Sequence, residues 1–336
     1  MALLISDEEV RKILSFEDTI EAVEDAYRQY GKGLAAGNSL RHGSPLLHRR
    51  ELRVEGKDLP HGAPEIRGIG QGMAYLEESK MAVLQHSFRL GERRDMMFHL
   101  IDTTDGSTLA VIKSSYPSWM RTGAAGAVAA KYLSRKDSDV AGVVGTGRQG
   151  RAQLLFLSKV RPIEKAYAHS GKRRDDRFAQ EMGEELGIEV VASNDVREVV
   201  TKADVLITVT RATSPVVKGE WVGPGIHVSS IGSDCPYKAE LDATTLKKAD
   251  KLVIDHELAL DTADIRIPME MGVLRMSDIH GNIGEVVAGV KPGRESPTEI
   301  TIFKSTGMTI AYVNIAAKIY AKAKEMGLGV ETPTLV

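Results

Sequence analysis

The residues best suited to chemistry in this sequence are three glycines spaced Gly-x-Gly-x-x-Gly, in Gly145-Thr146-Gly147-Arg148-Gln149-Gly150. An apolar run, Val140 to Val144, enters the turn, and the amphipathic stretch Arg151-Ala152-Gln153-Leu154 leaves it. A dinucleotide-binding strand–turn–helix unit requires that order. Gly145 permits the tight turn, and Gly147 lets the backbone approach a pyrophosphate with no Cβ in the way. Gly150 permits close helix–strand packing, while the N–H groups of the helix start face the anion. The chain holds 32 glycines, so the bare triplet would serve equally as a structural turn. Its context selects a nicotinamide or flavin nucleotide, held by Gly145, Thr146, Gly147, Arg148, Gln149 and Gly150.

The second strand of such a unit bears on which nucleotide. NAD-specific sites place an Asp or Glu about 20 residues past the glycines, on the ribose hydroxyls. Here the strand runs out as Ala166-Tyr167-Ala168-His169-Ser170-Gly171-Lys172-Arg173-Arg174, a hydroxyl and three cations with no carboxylate at the strand end. Such groups suit a 2′-phosphate, although a solvated basic helix start would look the same. NADP(H) is the expected cofactor and NAD(H) the alternative, with Ser170, Lys172 and Arg173 as the discriminating residues.

A second unusual stretch is Ser229-Ser230-Ile231-Gly232-Ser233-Asp234-Cys235-Pro236-Tyr237-Lys238-Ala239-Glu240-Leu241. Asp234 follows the end of an expected strand, in the crevice where open α/β sheets bind ligands. A carboxylate there serves as a general base or as the partner of a substrate ammonium. The residue types alone leave a turn-forming Asp before Pro equally open.

These residues need a scaffold, and the hydrophobic periodicity outlines one. Ser6-Asp7-Glu8-Glu9 reads as a capping box opening a helix to about Leu14, and a second helix starts near Phe16 and ends at Gly31. From Asn38 to about Val111 the pattern is of strands and turns: Met73 to Tyr75, Ser79 to Gln85, Met97 to Ile101 and Leu109 to Val111, with a hairpin turn at Thr104-Asp105-Gly106. Trp119 to Leu133 is Ala-rich and helical. Beyond the glycine turn, strands at Lys165 to Ala168, Glu189 to Ala192, Val205 to Thr210, His227 to Ile231 and Lys251 to Asp255 alternate with helices such as Asp175 to Leu186 and Asp195 to Lys202. That alternation predicts a parallel doubly wound sheet with helices on both faces. A last strand, Ile300 to Phe303, precedes a helix from about Thr309 to Met326 that returns to the N-terminal region.

The totals fit this picture. The length allows about two domains. With 44 basic and 46 acidic residues there is no electrostatic footprint for nucleic acid or an anionic membrane. No apolar run approaches a bilayer span, and Met1-Ala2-Leu3-Leu4-Ile5-Ser6 is too short for a signal peptide. The single cysteine, Cys235, excludes an internal disulfide, and no Cys/His cluster has zinc spacing. A cytoplasmic protein without a metal, nucleic-acid or membrane partner is expected.

Several motifs in order resemble the ornithine cyclodeaminase and mu-crystallin family. They are Arg121-Thr122-Gly123-Ala124-Ala125, the glycine turn, Ile231-Gly232-Ser233-Asp234-Cys235-Pro236 with Lys238 and Glu240-Leu241, Gly284-Glu285-Val286-Val287-Ala288-Gly289, and Phe303-Lys304-Ser305-Thr306-Gly307. The resemblance implies a homodimer of two-domain subunits. A Rossmann doubly wound domain spans 119–308, and a smaller α+β substrate-binding and dimerisation domain spans 1–118, completed by 309–336. It adds Thr210, Ser305 and Thr306 to the cofactor set. It also implies a small amino or imino acid as substrate, its carboxylate held by Arg121, by Lys80 as the active-site lysine, and by Arg41. A bidentate Arg with a Lys point charge suits a carboxylate.

Asp234 matches the acid of the family's cyclodeaminases and archaeal alanine dehydrogenases, which argues for catalysis over ligand storage. Two departures concern the substrate. Tyr312 stands where the family commonly has an acid, and Leu84-Gln85-His86-Ser87-Phe88-Arg89 replaces a Pro- and Asn-containing turn. His42, His86 and His99 offer donors for a second polar group on the substrate, or serve as ordinary surface and strand residues. The leading expectation is an NADP(H)-preferring imine reductase or amino-acid dehydrogenase. The alternatives are a cyclodeaminase that releases ammonia with catalytic NAD, and a non-catalytic binder like the crystallin.

Overall fold

The computed structural model describes residues 1–39, 52–54, 66–90 and 93–333. In chain order the first elements are β1 (Ala2–Ile5), α1 (Asp7–Ile13), α2 (Phe16–Gly31), β2 (Ala35–Ser39), β3 (Leu52–Val54), β4 (Ile66–Leu76), β5 (Met81–Leu90), β6 (Arg93–Asp102), β7 (Thr108–Lys113) and α3 (Ser115–Leu133). Then come β8 (Val140–Val144), α4 (Arg148–Leu157), β9 (Lys165–His169), α5 (Asp176–Leu186), β10 (Glu189–Ala192), α6 (Val196–Lys202), β11 (Val205–Thr208), β12 (Thr213–Val217) and β13 (His227–Ser230). The last are β14 (Ala239–Leu241), α7 (Ala243–Lys247), β15 (Lys251–Ile254), α8 (Ala263–Glu270), β16 (Ile279–Asn282), α9 (Ile283–Val287), β17 (Thr301–Lys304), α10 (Ala311–Met326) and β18 (Val330–Thr332). Two compact units result: Met1–Arg121 with Met308–Val336, and Thr122–Gly307.

In the first unit β4 to β7 form an antiparallel meander within the sheet order β18-β1-β7-β6-β5-β4-β2. Side chains alternate across it: Ala74, Leu76, Val83, Phe98, Leu100, Ala110 and Ile112 are buried on one face. The apolar stripes of α2 and α10 pack together, and α10 lies on β4 to β7. Each large apolar side chain buried this way contributes about 1.5–3 kcal/mol. Both early helices start on capping boxes, Ser6 with Glu9 and Ser15 with Asp18. Glu9 also accepts the N–H of Gly329 at 2.8 Å, and Lys322 donates to Asp18 at 2.5 Å, so the C-terminal segment is tied to both caps.

The second unit is an eight-stranded parallel sheet in the order β10-β9-β8-β11-β13-β17-β15-β16. Its central strands β11, β13, β15 and β17 are buried at every residue, as a parallel sheet covered on both faces demands. The order reverses between β8 and β11, which is the switch point of a doubly wound fold. The chain is thus a Rossmann doubly wound sheet with an α+β second unit. No described helix is long and apolar enough to cross a membrane.

Some expected bounds change. Ser79 and Lys80 do not begin β5; they belong to the turn after β4, and Lys80 has φ 52°, the one positive φ on a non-glycine among the described residues. The helix expected from Trp119 starts at Ser115. Thr210 lies two residues past the end of β11.

Candidate functional site

Four adjacent parallel strands, β8, β11, β13 and β17, end on the same side of the second unit's sheet and deliver its chemistry-bearing loops together. At the end of β8, Gly145 has φ 113°, and a Cβ on it would lie 2.6 Å from the Val209 carbonyl oxygen. A Cβ on Gly150 would lie 2.0 Å from the Gly145 carbonyl oxygen. A side chain fits at neither position. At Gly147 a Cβ would meet nothing within 4 Å, and this residue caps α4 with no side-chain hydrogen bond. The space beside Gly147 at the helix start is therefore open, and a helix start of this kind is where a pyrophosphate is received. Gln149 in the same turn has a buried Oε1 with no hydrogen-bond partner among the described residues.

Beyond β9, Lys172 and Arg173 are exposed, but the Ser170 hydroxyl is engaged within its own turn. It accepts the Arg173 N–H at 3.0 Å and donates to the Arg173 carbonyl at 2.8 Å. Ser170 shapes the loop, and the cations are left to meet a ligand. The first carboxylate after the strand, Asp175, turns back: it accepts the Thr146 hydroxyl at 2.5 Å and caps α5 through the Phe178 N–H at 3.1 Å. Burial opposes its charge, but the hydrogen bonds from Thr146 and Phe178 and the nearby Arg173 and Arg151 hold it below the usual carboxylate range. Thr146 thus links the glycine turn to the basic loop.

Asp234 lies on the loop leaving β13, with its side chain 52% exposed and 2.7 Å from the Lys238 ammonium. Burial works against the charge of Lys238, and the adjoining Asp234 carboxylate more than offsets it, raising the lysine above its ordinary value. Beneath this loop is a cluster that sequence reasoning did not assign. Buried Glu240 in β14 accepts the Thr208 hydroxyl at 2.8 Å and the N–H groups of Thr210, Gly232 and Ser233 at 2.5, 2.9 and 3.3 Å. Buried Asp264 in α8 accepts the N–H of Glu240 at 2.6 Å and faces Lys304 at 3.0 Å. Lys304, also buried, donates to the Ser233 carbonyl at 2.5 Å. Glu240 and Lys304 stood in motifs already singled out, but Asp264 carried no signal of its own.

Ser305 and Thr306, expected in the cofactor set, lie on the loop after β17. Their hydroxyls turn to buried Asp255, which follows β15, at 3.0 and 3.1 Å, and Asp255 also accepts the N–H of Thr306 at 2.6 Å. They hold the shape of the loop after β17. Thr210 likewise commits its N–H to Glu240 and its hydroxyl to the Ala212 N–H at 3.1 Å.

In the first unit Arg121 in α3 donates to the Tyr312 hydroxyl at 2.8 Å, and its guanidinium carbon lies 4.7 Å from the centre of that ring. Tyr312 donates to Ser118 at 3.2 Å and packs on Phe98 with ring centres 4.6 Å apart. Lys80 belongs to the same unit. It is exposed in the turn before β5, its carbonyl held by Thr103, and Met81 pairs with Asp102, four residues along β6 from Phe98. That distance is roughly 13 Å at 3.3 Å per residue. Lys80, expected as the active-site lysine, is thus carried on an exposed turn of the unit that also holds Arg121. His86 and His99 pack on each other at 5.2 Å on the sheet face opposite Phe98. Arg41 and His42 lie outside the described residues.

The family model described as ornithine cyclodeaminase/mu-crystallin matches residues 2–327. Alanine dehydrogenase of Archaeoglobus fulgidus is 36% identical over 328 residues, 97% of each chain. Among solved structures, Delta(1)-pyrroline-2-carboxylate reductase of Thermococcus litoralis, in complex with NADH and L-proline, superposes with a TM-score of 0.83 at 36% identity. It covers 98% of this chain and is itself covered completely, at 100%. An archaeal alanine dehydrogenase dimer with bound NAD gives a TM-score of 0.83 at 34% identity, over 99% of both chains.

Proposed function

The chain belongs to the ornithine cyclodeaminase/mu-crystallin family, and from that premise we propose that it is a nicotinamide-dependent oxidoreductase that acts on the C–N bond of a small 2-amino or 2-imino acid. One observation carries the reading: a half-exposed carboxylate, Asp234, stands at the end of β13, two strands from the glycine turn of β8. At about 4.8 Å per strand that is roughly 10 Å across the sheet, a span that a bound dinucleotide covers from its pyrophosphate onward. The similar proteins are an alanine dehydrogenase and a pyrroline-2-carboxylate reductase, the latter seen with NADH and L-proline.

The glycine turn and the start of α4 fit a dinucleotide, which supplies or accepts the hydride when bound. Arg121, its guanidinium plane fixed over Tyr312, pairs with the substrate carboxylate through two parallel N–H groups. Asp234 exchanges a proton with the substrate nitrogen and balances the charge of its protonated form. The Lys238 ammonium keeps that site polar and charged before the substrate nitrogen replaces it. Most of the rate then comes from positioning and electrostatics. Lys172 and Arg173, with no free carboxylate at the end of β9, favour NADPH over NADH. The reading includes a homodimer through the first unit's second sheet face, where Met73 is 58% exposed and Leu84, Met97 and Val111 are half-buried.

The test follows NADPH and NADH absorbance with 2-oxo acids plus ammonia or methylamine, and with cyclic 2-imino acids. Oxidation of NADPH by one of these supports the reading and names the substrate. Ammonia release from ornithine with NAD, and no net change in nicotinamide, would replace it with cyclodeamination.

A further inference from the structure

The Asp234 loop does not hold itself in place. Glu240 takes N–H groups from two separate loops, Thr210 after β11 and Gly232 with Ser233 after β13, and the hydroxyl of Thr208 at the end of β11. Its two oxygens face donors only. Below it, Asp264 fixes the Glu240 backbone through two N–H groups, at 2.6 Å from Glu240 and 3.1 Å from Leu241. Lys304 then closes the arrangement by binding both Asp264 and the Ser233 carbonyl. Ser233, next to Asp234, is thereby held at its N–H by Glu240, at its carbonyl by Lys304 and at its hydroxyl by the Lys238 carbonyl at 2.5 Å. A surface loop has no need of two buried carboxylates and a buried ammonium, since charges are expensive to bury. A loop whose acid must meet a reacting nitrogen in one geometry does need them.

We infer that Glu240 is a positioning residue for Asp234: its carboxylate, on a backbone that Asp264 fixes and with Lys304 closing the cluster, sets the loop from which Asp234 reaches the substrate nitrogen. The inference rests on the proposed role of Asp234 in proton exchange.

Glu240→Gln is the direct test, because the amide keeps the volume and places an N–H donor against a backbone or hydroxyl donor whichever way it turns. The full-length protein is assayed for kcat, for KM of the oxo or imino acid, and for NADPH affinity by fluorescence, with Asp234→Asn in parallel. The expected result is a fall in kcat of about 100-fold, with KM and nucleotide affinity within about threefold of wild type. If Glu240→Gln does not fold, Thr208→Val removes one donor to Glu240 and leaves every charge in place. It should lower kcat by about threefold with KM and nucleotide affinity held. Wild-type kcat in either folded variant overturns the inference, as does a loss spread equally over kcat, KM and nucleotide binding. If Asp234→Asn itself keeps wild-type kcat, the role of Asp234 fails and the inference falls with it. If Asp234→Asn loses kcat and the Glu240 variant does not, only the inference fails.

Discussion

One tyrosine touches Arg121 from two directions: the Tyr312 hydroxyl accepts its N–H at 2.8 Å, and the Tyr312 ring lies 4.7 Å below its guanidinium carbon. A flexible side chain is thereby reduced to one plane and one edge. The tyrosine is neutral, so this contact orients the guanidinium without cancelling its positive charge.

Removing the hydroxyl tests that effect. Tyr312→Phe keeps the ring packed on Phe98 and loses the bond to the charged Arg121, a net contribution of about 1.5–3 kcal/mol, together with the longer one to Ser118. KM for the acid substrate should rise about tenfold or more, while NADPH affinity holds. Steady-state kinetics with both substrates varied would check this, and an unchanged KM would sever Arg121 from carboxylate binding.

The basic loop after β9 makes a separate prediction. Changing Lys172 and Arg173 together to Ala removes two exposed cations and leaves the Thr146–Asp175 link intact. KM for NADPH should rise about tenfold and that for NADH by less than about twofold, since charge-assisted bonds to a 2′-phosphate are lost only with the former. Equal rises would remove the preference for NADPH.

His227 gives the second unit an acid-sensitive core. Full burial, with the charges of Arg294 and Arg161 nearby, pushes its imidazole down to about 3, and the ring nitrogens lie 2.9 Å from the Thr301 hydroxyl and 3.1 Å from that of Ser229. The unfolded chain takes up this proton below its ordinary value of 6.5, whereas the folded chain refuses it until about 3. The stability contribution is therefore complete above pH 6.5 and is lost progressively as pH falls towards 3. Tm should decline over that window, and His227→Gln should lower Tm at neutral pH by a few degrees, roughly 2–4 °C, while flattening the acid slope. An identical slope in the variant would assign acid sensitivity to other groups.

The parallel sheet and its glycine turn were legible because buried parallel strands write themselves as short runs of Val, Ile and Ala between helical periods. Asp234 was legible because a strand end followed by Asp-Cys-Pro is unusual. Glu240 and Lys304 were visible only as letters in motifs; their meaning depends on β14 and β17 lying against the loop after β13. Asp264 and Asp255 had no signal, because a buried carboxylate is recognised by donors far away in the chain. β1 and β18 were missed because strands of four and three residues pair only once distant segments meet. The start of β5 was misplaced for a local reason. Ser79 to Gln85 reads as continuous strand, and nothing in it announces a lysine with positive φ.

Two of the three glycines separate folding from binding. A Cβ at Gly150 would lie 2.0 Å from a backbone oxygen that cannot move without opening the turn, so Gly150→Ala should reduce stability and nucleotide binding together. A Cβ at Gly147 meets nothing within 4 Å, and φ there is −79°, which any residue adopts. Gly147→Ala should keep wild-type Tm to within roughly 2–4 °C, the effect of losing about 1 kcal/mol as Ala replaces Gly at a helix N-cap. It should nevertheless weaken NADPH and NADH alike, by about tenfold or more, because the methyl group occupies the space a pyrophosphate needs. Thermal melts and fluorescence titrations on the same preparations decide it. A Gly147→Ala protein that binds both nucleotides with wild-type affinity would mean that the open space before α4 is not where the cofactor lies.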